Sequence, residues 1–95
     1  MTLPLLPADA VRIGLRYGAT EMRVFGSFAR GTARPDSDLD LVVDLEPGRT
    51  LLDLIGLKQD LEAQAGRTVD VVTEASLHPK IRDRVLGDAV ALDTL

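Results

Sequence analysis

The chain has no cysteine and no tryptophan, one histidine, one tyrosine and two phenylalanines. The missing thiols exclude disulfides, thiolate metal sites and cysteine nucleophiles together, and they fit a reducing compartment. The single imidazole, on His78 beside Pro79, speaks against a histidine-centred triad and reads as an exposed residue. No apolar run approaches the roughly 18 residues that span a bilayer. The opening MTLPLLPADA has no basic leading segment, holds two prolines and reaches Asp9 within ten residues, unlike a signal peptide. No run of Lys and Arg forms a basic stripe, and a net charge of -4 repels nucleic acid, so long polynucleotides are not expected as partners. These absences together describe a cytoplasmic protein without membrane contact.

What is present fits one folded domain over residues 1–95, with 45% hydrophobic and 27% charged residues. Val11 and Leu15, four apart, suggest a helix over Ala8–Tyr17 that Gly18 stops. Met22, Val24 and Phe25 form a short strand that runs into Gly26, and Ser27–Gly31 has room for little more than a helical turn. TARPDS is loop chemistry, after which Asp38–Leu45 alternates: Leu39, Leu41, Val43 and Leu45 on one face, Asp38, Asp40, Val42 and Asp44 on the other. Thr50 and Asp53 make a capping-box start for a helix carrying Leu51, Leu54, Ile55 and Leu61 and closed by Gly66. RTVDVVTE is a β-branched strand that sets Asp70 on a face with Thr68 and Val72. Pro79 opens a last helix whose buried stripe is Ile81 and Val85 and whose end is Gly87, and AVALDTL adds an edge strand. Strands separated by helices predict an α/β (α+β) fold, a small mixed sheet with helices packed on it.

The chemistry concentrates in VFGSFARGTARPDSDLDLVV. Asp38 and Asp40, at i and i+2, project two carboxylates the same way, and such a pair repels unless a cation lies between them. Mg²⁺ suits them, because it prefers oxygen ligands and takes one or two carboxylates with substrate phosphates. Asp70 stands alone among valines, where a lone charge is costly. If the two strands are neighbours, three carboxylates converge in the wiring of a two-metal phosphoryl-transfer site. The Gly26-Ser27 turn supplies the complement: free backbone N–H groups for an anion, with the Ser27 hydroxyl beside them. Arg30 is a candidate phosphate clamp and Arg34 a weaker one. Blander roles stand beside these: a solvated strand face for Asp38, Asp40 and especially Asp44, a surface strand position for Asp70, and an N-cap for Ser27. Lys80, Arg82 and Arg84 read as a solvated basic face or a docking surface for an acidic partner, and Tyr17 as an ordinary tyrosine or a self-modification acceptor.

Gly26-Ser27, ten residues, then Asp38-Leu39-Asp40 resembles the motif of the DNA polymerase beta-type nucleotidyltransferase superfamily. Length and wording are similar to its minimal nucleotidyltransferases, commonly the antitoxin halves of pairs whose toxin is a HEPN-domain ribonuclease. The resemblance runs from about Tyr17 to Leu92. It implies a polymerase beta-like fold in which Gly26 and Ser27 hold the triphosphate of ATP, and Asp38 and Asp40 ligate metal, with two Mg²⁺ ions expected. Asp70 is then the third carboxylate, which helps to activate the attacking hydroxyl. The implied reaction moves AMP from ATP to a hydroxyl, in the antitoxin case a tyrosine of the HEPN partner, with pyrophosphate leaving. Two other readings remain open: an antitoxin that occludes its toxin with a vestigial site, and a transferase for a small hydroxylated compound such as an aminoglycoside.

Overall fold

A computed structural model describes residues Met1–Leu95. Four strands, β1 (Ala19–Phe25), β2 (Leu39–Leu45), β3 (Val69–Thr73) and β4 (Val90–Ala91), form one sheet in the order β3-β2-β1-β4. β1 runs antiparallel to β2 and β4, and β2 runs parallel to β3, so the sheet is mixed as expected. A parallel pair needs a long crossover, which helix α3 (Leu51–Ala65) provides between β2 and β3. The other helices are α1 (Pro7–Arg16), α2 (Gly26–Arg30) and α4 (Pro79–Asp88). The final strand is shorter than its sequence suggested, a two-residue edge that gives way to a turn of 3₁₀ helix over Leu92–Thr94.

The start of α3 follows its side-chain chemistry. The Thr50 hydroxyl accepts the Leu52 N–H at 3.2 Å, and the Asp53 carboxylate accepts the Thr50 N–H at 2.9 Å. Alternation on β2 sends Leu39, Leu41 and Val43 into the core, where they meet Val24, Val69, Leu57 and Leu61 under α1 and α3. Fully burying side chains of this size contributes about 1.5–3 kcal/mol each.

Three expectations about helix faces change. α1 buries Ala10, Ile13 and Gly14 rather than Leu15, which is 67% exposed and lies about 160° round the helix from Ile13. Small residues won because the helix lies so close to the sheet that a Cβ on Gly14 would run into the Met22 sulfur. On α3 the buried pair is Leu57 and Leu61, with Leu54 partly buried. Ile55, about 120° from Leu61, is exposed, as is Leu51 in the first turn. α4 has no buried residue, and Ile81 is 40% exposed. Ion pairs hold that helix instead, Arg82 to Glu74 at 2.5 Å and Asp88 to Arg30 at 3.4 Å, and it passes Gly87 to end at Asp88.

The free edge of β3 is guarded. Glu62 accepts the Val69 N–H at 3.1 Å, Lys58 donates to the Val69 carbonyl at 2.6 Å, and the two side chains pair at 3.2 Å. These α3 side chains occupy backbone groups that would otherwise template another strand. The Val69 N–H, more than Lys58, holds the Glu62 carboxyl below the usual carboxylate range.

Tyr17 lies on the helical side of the sheet, its hydroxyl on Asp60 at 2.5 Å. Its ring fills the space a Cβ would take at Gly56, with ring carbons at 2.5 and 3.1 Å from that position. Gly56→Ala is therefore expected to destabilise the protein by about 1–3 kcal/mol, the usual cost of overpacking, despite the gain in helix propensity. A denaturant melt showing equal or greater stability would contradict this contact.

Candidate active site

The sheet topology brings the motif together. β1 runs against β2 while β2 runs with β3, so the last residue of β1 and the first residues of β2 and β3 meet at one end of the sheet. The register pairs Phe25 with Asp40, and Asp40 with Asp70. Paired residues on adjacent strands point the same way, so Asp40 and Asp70 stand side by side on the face opposite the Leu39–Leu41–Val43 core. Val42, next along on that face, is fully buried between Arg23 and Val72 in the register.

Gly26 follows directly, at a φ of +72° that L side chains rarely adopt. A Cβ there would collide with the Asp40 carboxylate, so the glycine turn and the carboxylate are in close contact. Burial, followed by the charges of Asp70 and Asp38, pushes the Asp40 carboxyl up to about 6, and a hydrogen bond with Asp70 adds to the rise. Arg30 opposes it. Side by side, like charges disfavour the ionised form of Asp40.

The family follows from this arrangement and from comparison with known proteins. Residues 12–92, which contain Gly26, Asp38, Asp40 and Asp70, match the nucleotidyltransferase domain family. The chain belongs to that family. It is 42% identical over 86 residues to the protein adenylyltransferase MntA of Thermococcus cleftensis, covering 90% of this chain and 87% of that one. A solved structure described as a "putative minimal nucleotidyltransferase" superposes with a TM-score of 0.80 at 50% identity, over 88% of this chain and 86% of that one. The fold also matches a chain from a crystal structure of a toxin-antitoxin with AMP-PNP, at a TM-score of 0.79 and 21% identity over 93% of this chain and 73% of that one.

In this nucleotidyltransferase the remaining residues of the motif are placed unevenly. Asp38 is exposed and lies just before β2 rather than in it. Its neighbours are tied: the Leu39 N–H donates to the Thr68 carbonyl at 3.1 Å, and the Ser37 carbonyl accepts from Arg67 at 3.0 Å. Ser27 does not cap α2, because the N-cap position belongs to Phe25 and no side-chain bond is made there. Arg30 is exposed and paired with Asp88, while Arg34 sits in the exposed loop, where its backbone N–H bonds to the Ser37 hydroxyl at 2.7 Å. Asp44 is at the far end of β2, opposite Glu21, away from the other carboxylates.

The basic residues of α4 do not form one free cluster. Arg82 is bound to Glu74, which also holds Arg23 at 3.3 Å, leaving Lys80 and Arg84 outside the ion pairs. His78 is exposed, and its Nδ1 accepts the Lys80 N–H at 3.1 Å as the N-cap of α4. Tyr17, held by Asp60 under the helices, is not brought to the carboxylates.

The donor set can be tested against a divalent cation. Adjacent carboxylates at the sheet end, whose mutual repulsion a cation would relieve, have the hard oxygen chemistry that Mg²⁺ prefers. The side chains do not close into a cluster of three acidic or histidine groups at metal-binding distance. Asp38 and Asp70 are both exposed, Asp70 despite its flanking valines. Sequence reading missed Arg67: its guanidinium lies 5.4 Å from the centre of the Phe28 ring of α2 and reaches back to Ser37. Nothing in RTVDVVTE distinguishes that arginine from a solvated one.

Proposed function

We propose that this nucleotidyltransferase transfers AMP from ATP to a hydroxyl of another protein chain, a tyrosine of a HEPN-domain toxin, and so neutralises it. The observation that carries the proposal is the in-register pairing of Asp40 with Asp70 directly beneath Gly26. The names of the relatives agree with it: one is a protein adenylyltransferase, and one structural neighbour is a toxin-antitoxin with an ATP analogue. The chain's own tyrosine, Tyr17, is engaged by Asp60 on the other side of the sheet, so a tyrosine acceptor has to come from outside.

In this reading Asp38, Asp40 and Asp70 hold Mg²⁺, which supplies positive charge to the triphosphate and to the leaving oxygens. The backbone at Gly26-Ser27 and the Ser27 hydroxyl bind phosphate oxygens, and Arg30 leaves Asp88 to join them. Asp70 orients the acceptor hydroxyl and draws off its proton as the oxygen attacks the α-phosphorus. The bond from that phosphorus to the bridging oxygen breaks, AMP remains on the acceptor, and pyrophosphate departs.

Incubation with ATP labelled at the α-phosphate, Mg²⁺ and a HEPN toxin should label the toxin. The Asp38→Ala, Asp40→Ala double variant should leave it unlabelled. No label with the wild-type protein would end the transferase reading. Protection of toxin-expressing cells by the double variant would instead indicate neutralisation by occlusion.

A further inference from the structure

We infer that Arg67 is the positioning residue of this site: it fixes the backbone next to Asp38, an assignment that rests on the functional reading above. Asp38 needs such help because it precedes β2, and residues 31–36 ahead of it are all exposed. The contacts that tie this stretch to β3 lie on either side of Asp38. Arg67 donates to the Ser37 carbonyl at 3.0 Å, and the adjacent Thr68 carbonyl accepts the Leu39 N–H at 3.1 Å. Two successive residues just before β3 thus straddle the one carboxylate that lies outside the paired strands.

The same guanidinium lies over the Phe28 ring of α2, 5.4 Å from its centre. Phe28 is buried in the core one residue after Ser27, so Arg67 touches both halves of the motif, the phosphate turn and the aspartate loop. Arg67 has no carboxylate partner, and its Nε is buried without a hydrogen bond. Such a half-buried, unpaired cation costs stability, so packing alone does not account for it. A planar guanidinium can stack on a ring and donate in its own plane at once, which a lysine ammonium cannot.

The test uses Mn²⁺ alone as the probe, read by loss of the free-ion electron paramagnetic resonance signal, on the full chain and on Arg67→Met, Arg67→Lys and Asp38→Ala. Arg67→Met keeps an apolar stem for Phe28 and removes the donor. It should weaken Mn²⁺ binding by about 10-fold or more, as loss of residues supporting a metal ligand does. Adding Arg67→Met to Asp38→Ala should produce little further loss, since both act on one ligand. Hydrogen exchange should rise at Leu39 in Arg67→Met, while Arg67→Lys, which can still reach the Ser37 carbonyl, should recover part of the affinity. Wild-type-like Mn²⁺ binding by Arg67→Met, or effects that multiply with Asp38→Ala, would overturn the assignment and leave the transferase reading standing. A wild-type protein that neither binds Mn²⁺ nor transfers label would overturn both. If Arg67→Met does not fold, Arg67→Lys alone decides: affinity equal to wild type with unchanged exchange at Leu39 counts against the proposal, and weaker binding with faster exchange supports it.

Discussion

Asp40→Asn should stop nucleotide transfer and at the same time make the metal-free protein more stable at neutral pH. The loss of activity follows from the proposed role of Asp40 as a metal ligand, where several kcal/mol of charge stabilisation is needed, on the order of a 10³-fold reduction or more. The gain in stability follows from linkage. The Asp40 carboxyl titrates at about 6 in the folded protein against 3.8 in its ordinary state. Between those values the native state holds more protons than the unfolded one, so stability rises as pH falls through that window. Above about pH 6 the folded chain carries the full penalty of an ionised carboxylate pressed against Asp70. An amide removes that charge and can still donate a hydrogen bond to Asp70. Because Asp40 is only partly buried, solvent screening reduces the effect, and about 1 kcal/mol is expected. Denaturant melts in a chelator at pH 7.5 and pH 5 check it. An advantage for Asp40→Asn at pH 7.5 that shrinks at pH 5 is the expected pattern, and a variant less stable than wild type at pH 7.5 would refute the argument.

Gly26→Ala should damage the site more than the fold. Its backbone, at a φ of +72°, costs a side-chain residue about 1–2 kcal/mol. Beyond that, the added methyl occupies the space of the Asp40 carboxylate and must push it away from Asp70. A misplacement of about 1 Å in such a site lowers rate on the order of 100-fold. Gly31→Ala separates the two effects, because Gly31 has a similar φ of +75° but nothing within 4 Å of its would-be Cβ. Both variants should lose comparable backbone stability, and only Gly26→Ala should lose label transfer to the acceptor. Equal loss of transfer in the two would mean that the close approach of Gly26 to Asp40 has no role.

Local chemistry made several elements readable before any coordinates. Thr50 and Asp53 announce α3, Pro79 starts α4, and the alternation from Leu39 to Leu45 separates a core face from a carboxylate face, all of which the structure shows. Helix faces were harder. Periodicity favoured Val11 and Leu15 in α1, but the helix turns its small residues, Ala10 and Gly14, to the sheet, a choice set by how closely two elements approach. Ile81 and Val85 looked like a buried stripe, yet the sheet under α4 ends in the two-residue β4, which leaves little to bury them against.

The sequence by itself determined the ingredients: a glycine where the chain must turn, two aspartates on one side of a strand start, a third among valines, and no cysteine or second histidine to offer another chemistry. Those properties are local, set by φ preference and by the two-residue period of a strand. Only the tertiary structure decided that Asp40 faces Asp70, because that depends on a parallel register between strands separated by the whole of α3. It also decided that Gly26 lies against the Asp40 carboxylate and that Arg67 reaches the loop before Asp38. Contacts between residues so distant in the chain arise from how the sheet is paired, and no short stretch of sequence encodes that pairing.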